Sequence, residues 1–383
     1  MHPCPEFTDQ GQRQWSPVAR VPTNSDHLEI YQLTEAVYHM EMDFPFSQQD
    51  QDLIVKQVPH VLTTEGYLSR MRFGMCLVRL RLRPRNATDD ETVNILLDAG
   101  LGPYLSTVSK CSGHPVPEPP PYALPSLLQQ VDPTLTLADI DFVIYSHGHG
   151  DHVGWALELQ QPLSTANKKQ TIHCFHRREF EYAMYSGCPW NKSLRRRFEH
   201  LQGTEQLRLF GTSGGNSVTK DITERFILDS QKAPNVAVLL VEGHTPGHLC
   251  VEIQDPTTLR PIAVYIGDAM HFTLQVQYPD LAPLFDCCAW RVRSFLAVGG
   301  EEAVETTWTK TMRSSPNTWN ETTSGRSRRK LLHHVASTQS LLLSPHFLPP
   351  GIGHVTEQRT TSNVEQEYDG ASSVFSFQLI NGR

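Results

Sequence analysis

The order of apolar and polar positions predicts a chain built mainly of short strands. Residues 28–40 alternate between the two classes and predict an opening strand or hairpin. Two runs of β-forming residues, 61–67 and 75–80, are separated by glycine, and we interpret them as paired strands. Residues 92–97 form an apolar run that predicts a buried strand, and the glycine of Asp98-Ala99-Gly100 then permits a turn.

The middle of the chain changes character at a proline-rich segment. Six prolines between residues 112 and 125 exclude a helix or a central strand there, so we expect an extended surface loop. Apolar residues at helical spacing then predict a helix over 124–131, and the apolar run 142–145 predicts a strand. A further helix is expected to begin at His152.

The second half repeats the alternation of strand and loop. The predicted strands are 236–241, 251–253, 262–266 and 341–343. Residues 299–329 are polar and have no apolar period, so we interpret them as an insertion or mobile loop without a chemical role. A helical pattern resumes at 329–334. Residues 1–25 are interpreted as a flexible leader, and length alone leaves the number of domains in residues 26–383 open.

Composition and charge restrict the partners of the protein. The 383 residues carry a net charge of -8 and no basic stripe, which argues against nucleic acid as a partner. No apolar run approaches the roughly 18 residues that cross a bilayer, and the N-terminal residues lack the pattern of a secretory signal. Eight cysteines without a CxxC pair are typical of reduced thiols. We therefore expect a cytoplasmic protein that acts on a small molecule and has no membrane partner.

The densest chemical signal is the run His147-Gly148-His149-Gly150-Asp151-His152, directly after the predicted strand 142–145. Alternate residues of an extended loop share one side, so this run can serve two adjacent metal ions. Imidazole and carboxylate ligands suit zinc, and also iron or manganese. The alternative is a polar loop of hydrogen-bonded histidines, but the density of the cluster favours a metal site.

Later strand ends offer further ligands. The loop that follows strand 236–241 carries two histidines, and its Pro and Gly fix a tight turn that can direct one of them inward. We choose His248 as the ligand and regard His244 as the alternative without a metal role. Asp268 follows strand 262–266 and is the residue type that bridges two cations, although alone it would more often be a turn residue or a helix cap.

A fourth apolar run, 341–343, is followed by His346, so the succession of strand, loop and ligand recurs at this point. If the polar insertion displaced His346, the nearby His354 would be its substitute. We choose His346 because it directly ends the apolar run.

The succession H-x-H-x-D-H, T-P-G-H, G-D and a final strand-end histidine resembles the metallo-β-lactamase superfamily over roughly residues 60 to 355. The resemblance implies an α/β fold, a single αββα sandwich of two mixed sheets flanked by helices. It also implies two zinc ions, with iron or manganese as alternatives. The implied ligands are His147, His149 and His248 for the first ion, Asp151, His152 and His346 for the second, and Asp268 as the bridge.

Local features resemble the methyl parathion hydrolase-like and lactonase branch of that superfamily. Asp268 stands where true β-lactamases of this fold generally lack a bridging carboxylate. His271 lies three residues later, where lactonases often carry a tyrosine that contacts the substrate carbonyl. The resemblance makes His271 a candidate donor to the oxyanion, with a surface histidine at a helix start as the alternative. It makes Asp151 the candidate that passes a proton to the leaving group.

The implied activity is the opening of a lactone or lactam ring by hydroxide, because two bound cations lower the pKa of water towards neutrality. Hydrolysis of organophosphate triesters or aryl esters, and cleavage of thioesters, are the alternatives within this class. An iron-dependent sulfur oxygenase or a non-catalytic metal-binding protein is the alternative of another class. The oligomeric state stays open, with a homodimer as one option.

Overall fold

We describe the fold from a computed structural model of the chain. The residues that it describes are 2–3, 15–41, 48–57, 67–82, 91–103, 122–160, 170–185, 195, 197–211, 224–281, 320–359 and 373–380. Most of the proline-rich loop, the predicted strand residues 61–66 and the insertion residues 299–319 lie outside these ranges. The predictions for them are not addressed by the structure.

Eight strands form the first sheet in the described part of the chain. They are β1 (His2–Pro3), β2 (Val18–Arg20), β3 (Leu28–Glu41), β4 (Tyr67–Leu82), β5 (Glu91–Leu97), β6 (Phe142–Ile144), β7 (Ile172–His176) and β8 (Leu207–Phe210). Their order is β1-β3-β4-β5-β6-β7-β8, with β2 beside β3. Strands β3 to β5 pair antiparallel and β5 to β8 pair parallel, so the sheet is mixed.

The second sheet contains seven strands among the residues that the structure describes. They are β9 (Arg225–Asp229), β10 (Ala233–Leu240), β11 (Leu249–Gln254), β12 (Pro261–Tyr265), β13 (Leu341–Leu343), β14 (Ile352–Arg359) and β15 (Ser373–Leu379). They pair in the order β15-β14-β13-β12-β11-β10-β9. Only the β12–β13 pair is parallel among these, so this sheet is mixed as well.

The described residues include five α-helices, of which all but the first contribute buried side chains to the outer faces of the sheets. They are α1 (Gln48–Gln57), α2 (Leu124–Val131), α3 (Arg177–Tyr185), the single turn α4 (Leu274–Gln277) and α5 (Asn320–Thr338). Helix α2 buries its apolar face, including Leu127 and Leu128, against the first sheet, and α5 buries Leu331 and Leu332 against the second. None of the helices in the described residues has the length and apolar composition that a bilayer crossing requires.

The inner faces of the two sheets share one apolar core. Ile95 and Phe142 of the first sheet belong to the same buried cluster as Val238 and Tyr265 of the second. Burial of apolar surface between the sheets is the main favourable contribution to this arrangement. Two mixed sheets packed face to face with outer helices confirm the predicted αββα sandwich.

The prediction of separate paired strands around Gly74 is wrong. Residues 75–80 belong to the 16-residue strand β4, which begins at Tyr67 and pairs with β3 and β5. Gly74 lies beside a register shift in the β3–β4 pair, and a Cβ there would stand 2.6 Å from the carbonyl oxygen of Leu33. The glycine therefore allows a close approach of two backbones inside a continuous strand.

The helix predicted from His152 is also absent, because residues 151–160 form successive turns. The backbone N–H groups of Gly154 and Trp155 donate to Gly100 and Ala99, over 2.8 and 2.9 Å, instead of to a preceding helical turn. A Cβ on Gly154 would lie 2.0 Å from the carbonyl carbon of Leu101, so this glycine permits the two loops to touch. Tertiary contacts thus decide the local conformation.

Two boundary predictions need correction. Helix α5 begins at Asn320, so residues 320–329, assigned to the polar insertion, are helical. The leader is not wholly separate from the domain, because β2 pairs with β3 and Val21 is fully buried in the core.

Candidate metal centre

The candidate site lies where strands of both sheets end. Strands β5 and β6 run parallel in the first sheet; in the second, β10 and β12 both run antiparallel to β11, and β13 is parallel to β12. Each sheet therefore presents the carboxyl ends of several strands at one edge, and side chains of the following loops can converge there without ordering a long loop. The strand-end pattern seen in the sequence has this physical basis.

The first cluster comprises three imidazoles and a carboxylate. Its members are His147 and His149 after β6, His244 after β10 and Asp268 after β12. The Nε2 atom of His244 lies 3.1 Å from Nε2 of His147 and 3.1 Å from Nδ1 of His149. Both loops are thus needed to complete this cluster, since neither sheet supplies all of its nitrogens.

The second cluster comprises Asp151, His152 and His346. The Nε2 atoms of His152 and His346 lie 3.4 Å apart, and Asp151 Oδ2 is 3.4 Å from the first and 3.8 Å from the second. The Asp151 side chain is 19% exposed, whereas both imidazoles are 2% exposed or less. Asp151 therefore faces the open side of the cluster.

Asp268 lies between the two clusters and presents one oxygen to each. Its Oδ2 atom is 3.2 Å from His244 Nε2 and 3.5 Å from His147 Nε2. Its Oδ1 atom is 2.8 Å from His346 Nε2 and 3.0 Å from His152 Nε2. This is the arrangement that a carboxylate needs in order to bridge two cations.

His271 lies in the same centre and is buried, which excludes the alternative of a surface histidine. Its Nε2 atom is 3.0 Å from Asp268 Oδ2, and its ring stacks on that of His346 with centroids 5.2 Å apart. Its own backbone N–H donates to Gln275 Oε1 over 2.6 Å. The structure thus brings His271 to the bridging carboxylate, a contact that the sequence did not indicate.

His248, which was the predicted ligand, does not lie among the ligand atoms. Its Nε2 atom accepts a hydrogen bond of 3.0 Å from the backbone N–H of Asp268, so the lone pair is already used. His244, four residues earlier in the same loop, occupies the ligand position. We therefore replace His248 by His244 in the candidate ligand set. His354 lies on β14 and is exposed, so it is not a substitute for His346.

Hydrogen bonds on the far side of three rings orient their free nitrogens. His152 Nδ1 is 2.8 Å from a carboxylate oxygen of Asp98, His346 Nδ1 is 2.7 Å from the carbonyl oxygen of Arg72, and His147 Nδ1 is 3.0 Å from Ser146 Oγ. An Nδ1–H that donates outward leaves the Nε2 lone pair directed into the cluster. Sequence reasoning missed Asp98, although its place at the end of β5 was a signal of the same kind.

Asp98 is a fully buried carboxylate with four partners. It accepts from the backbone N–H of Ser146 at 2.6 Å, from Ser146 Oγ at 2.8 Å, from the Tyr265 hydroxyl at 2.9 Å and from His152. Because Tyr265 belongs to β12, Asp98 also links the first sheet to the second. A buried carboxylate with this many donors is held rigidly in place.

The pKa shifts of the centre favour the binding of a cation among its imidazoles and carboxylates. Burial lowers the pKa of His149 to about 3, and it also lowers the pKa of His147, with the neighbouring His152 as the next cause. Burial alone would raise the pKa of Asp268 and lower that of His152. The attraction between the two, with the other nearby imidazoles and carboxylates, reverses both directions. The rings of His147 and His149 are thus neutral and provide lone pairs, whereas His152 favours a proton beside Asp268, which keeps its negative charge.

This donor set fits a divalent cation. Neutral imidazole nitrogens only 3.1 Å apart repel through their lone pairs unless a proton or a cation lies between them, and one proton cannot serve all three nitrogens of the first cluster. Zinc binds nitrogen at about 2.0–2.1 Å in tetrahedral sites, which places ligand nitrogens about 3.3 Å apart. The spacing of the first cluster is close to that value, so its residues can hold the ion.

One family model matches part of the chain. Residues 89–258 match the model described as the metallo-beta-lactamase superfamily. The matched span contains the loops of His147 to His152 and of His244, whereas Asp268, His271 and His346 lie beyond it. No curated protein matches the chain.

Solved structures share the fold at low sequence identity. AidC, a dizinc quorum-quenching lactonase in complex with a product, N-hexanoyl-L-homoserine, is similar with a TM-score of 0.58 and 17% identity, and 95% of this chain and 99% of that chain are covered. The hydrolase AbOPH of the beta-lactamase superfamily has a TM-score of 0.56 and 16% identity, with 96% and 100% covered. A probable metal-dependent hydrolase from Staphylococcus aureus has a TM-score of 0.54 and 17% identity, with 87% and 94% covered.

Proposed function

We propose that the chain is a dinuclear metal-dependent hydrolase that opens a lactone or lactam ring, starting from the match of residues 89–258 to the metallo-beta-lactamase superfamily model. The observation that carries the proposal is the position of Asp268. Its two oxygens face two separate ligand clusters at 2.8 to 3.5 Å. One carboxylate shared in this way is suited to two cations held side by side.

The proposed ligands follow from the two clusters. His147, His149 and His244 would hold the first ion, Asp151, His152 and His346 would hold the second, and Asp268 would serve both. Zinc is the proposed metal because nitrogen-rich sites of this size suit it, although iron and manganese accept the same ligands. Two bound divalent cations supply Lewis-acid polarisation of the substrate and lower the pKa of water.

The protein residues orient the substrate and move the proton. Asp151 is the most accessible carboxylate of the centre, so it is placed to pass a proton to the leaving group. Burial lowers the pKa of His271 to about 3, so its ring is neutral and carries one N–H. The Nε2 atom of His271, 3.0 Å from Asp268 Oδ2, is placed at the edge of the centre, where its N–H would donate to an oxyanion formed on ring opening.

A small cyclic ester or amide is the proposed substrate. The similarity of fold to AidC, a dizinc lactonase, supports this choice, and so does the bridging position of Asp268. The proposal includes a single folded unit that comprises residues 26–383 together with β2 and Val21 of the leader, and the shared core of the two sheets supports it.

A phosphotriester or aryl ester is the second candidate substrate. The observation that favours it is the buried His271 three residues after Asp268, a spacing that resembles the methyl parathion hydrolase-like branch. Such a centre can stabilise charge on a phosphoryl oxygen as well as on an acyl oxygen.

The test is metal analysis beside an activity panel on the same preparation. The panel contains a lactone, a lactam, a phosphotriester, an aryl ester and a thioester, and the Asp268→Ala variant purified in parallel controls for contaminating hydrolases. We expect two zinc ions per chain and the highest turnover with the lactone or lactam. Faster phosphotriester or aryl ester turnover would favour the second candidate. One iron per chain with oxygen consumption, or no turnover of any substrate in the panel, would overturn the proposal that the protein is a hydrolase.

A further inference from the structure

One buried carboxylate near the centre belongs to neither ligand cluster. Glu179 lies in the first turn of α3 and is 1% exposed. Its Oε1 atom accepts a hydrogen bond from the backbone N–H of Gly148 at 2.9 Å, and its Oε2 atom accepts one from the backbone N–H of Gly247 at 3.2 Å. Each oxygen thus binds a different loop.

These two loops carry every imidazole of the first cluster. Gly148 stands between His147 and His149, and Gly247 closes the turn that begins at His244. The first loop follows β6 of one sheet and the second follows β10 of the other, so no strand pairing joins them. One backbone hydrogen bond of 2.8 Å, from the N–H of Leu249 to the carbonyl oxygen of Ser146, ties only their outer ends. The Glu179 carboxylate is a direct link between them.

The packing around Glu179 is tight on the side of the second loop. A Cβ on Gly247 would lie 2.2 Å from the backbone nitrogen of Glu179, so the turn rests directly on the start of α3. A carboxylate that accepts two backbone N–H groups at fixed positions holds both loops more firmly than a neutral acceptor does. The distances of 3.1 Å from His244 to His147 and His149 depend on that separation.

We infer that Glu179 is the positioning residue of the first metal ion, because it sets the distance between the two loops that supply its three imidazoles. The inference rests on the proposed dinuclear centre. Glu179 does not touch the ion or the substrate. Its loss is therefore expected to weaken the first ion selectively and to leave the second, held by Asp151, His152 and His346, in place.

The conservative variant Glu179→Gln isolates this role. The amide has nearly the same shape, but one of its two heteroatoms is an NH₂ that cannot accept from a backbone N–H, so one loop is released. Glu181→Gln is the matched control: it removes the same charge two residues further along α3, where the helix lines a shallow groove with Arg177 and Gln202.

The experiment is a cobalt titration of metal-free protein, followed by visible absorption with a competing chelator. His244→Ala and His346→Ala provide reference spectra for loss of the first and second ion. For Glu179→Gln we expect the affinity of the first ion to fall on the order of 10- to 100-fold, as for other residues that support a metal ligand. In the same variant, the affinity for the second ion is expected to stay within about twofold of wild type. In Glu181→Gln, the affinities for both ions are expected to stay within that range.

Each other outcome has a defined meaning. Unchanged affinity for both ions in Glu179→Gln, or an equal loss of both, would overturn the inference, because a general structural role predicts no selectivity. If Glu179→Gln does not fold, Glu179→Asp makes the same prediction, since the shorter side chain cannot reach Gly148 and Gly247 together. A wild type that binds no pair of ions would instead overturn the proposed function, and the inference with it.

Discussion

The backbone N–H of Asp268 donates a hydrogen bond of 3.0 Å to Nε2 of His248. This contact holds the loop after β12 against the loop after β10, and it fixes the main chain of the carboxylate that lies between the two clusters. Gly267, the residue before Asp268, has φ +48, and a Cβ at this position would lie 2.7 Å from the Nε2 atom of His248. His248 therefore supports the bridging residue through its backbone.

The first prediction separates the two histidines of that loop. His244→Ala removes a nitrogen of the first cluster, so we expect one metal ion per chain and a fall in kcat/KM that exceeds 100-fold. His248→Gln retains an oxygen that can accept the Asp268 N–H, so we expect two ions and a fall on the order of 10-fold. Metal analysis and kinetics on both variants test this. Two ions in His244→Ala and one in His248→Gln would restore His248 as the ligand.

The second prediction separates Asp268 from His271. Asp268→Ala removes the carboxylate that faces both clusters, so we expect fewer than one ion per chain and no measurable turnover. His271→Ala removes a donor but no proposed ligand, so we expect two ions and a kcat lowered roughly 100- to 1000-fold. Wild-type metal content in Asp268→Ala would contradict the shared bridge, and loss of an ion in His271→Ala would make His271 a ligand.

The strand-end positions of the ligands were predictable from the sequence, because a buried apolar run followed by a polar loop is a local signal. The choice between His244 and His248 was not, because it depends on where the Asp268 backbone lies. The predicted start of helix α5 at residue 329 lies after the observed start at Asn320 for a similar reason. Its first half is polar, and it is held by Arg328, whose partners lie up to 59 residues away in the chain. Local patterns carry no record of such contacts.

The role of Arg72 could not be predicted from the sequence either, because its partners lie far away along the chain. Its guanidinium is fully buried on β4 and donates to the carbonyl oxygens of Pro345 and Pro350 at 3.0 and 2.9 Å, which lie before and after His346 in the chain. The partners are more than 270 residues apart in sequence. One of the four arginines of β4 gives no sign in the sequence that it, and not the others, supports a distant ligand loop.

The third prediction concerns Arg328, which is 1% exposed on α5. Its guanidinium donates to the carbonyl oxygens of Ala269, Pro279 and Leu281 at 2.7 to 2.9 Å, and so closes the loop that follows Asp268. Arg328→Met removes the guanidinium donor from all three oxygens, and that of Leu281 keeps a second donor, Gln275 Nε2 at 2.9 Å. We therefore expect the free energy of unfolding to fall by roughly 3 kcal/mol. Chemical denaturation of the metal-free protein measures this loss.

The neighbouring Arg329 provides the matched control for Arg328. It pairs with Asp280 at the surface, where both side chains are at least half exposed. Arg329→Gln is expected to change the free energy of unfolding by less than about 1 kcal/mol, since exposed ion pairs contribute little. Equal losses of unfolding free energy in the two variants would show that the buried hydrogen bonds to the loop stabilise the protein no more than the exposed ion pair does.

The fourth prediction concerns pH and Glu35, a fully buried carboxyl group on β3. Trp155 Nε1 and the backbone N–H of Leu101 donate to it at 2.6 and 2.5 Å. Burial raises the pKa of Glu35 from 4.5 to about 7, although these two hydrogen bonds lower it. The folded state therefore binds the proton more tightly than the unfolded state, and its contribution to stability is present below pH 4.5 and lost as pH rises through about 7.

The expected loss across that window is about 3 kcal/mol, at roughly 1.4 kcal/mol for each pKa unit. Glu35→Gln has no proton to release, so its stability is expected to change less with pH than that of wild type. Trp155→Phe removes a hydrogen bond that favours the charged form of Glu35. The pKa of Glu35 is therefore expected to rise further, and the loss of stability to extend to higher pH. Urea unfolding between pH 5 and 8 with chelator present excludes loss of metal as a cause. Parallel curves for wild type and Glu35→Gln would show that Glu35 does not titrate there.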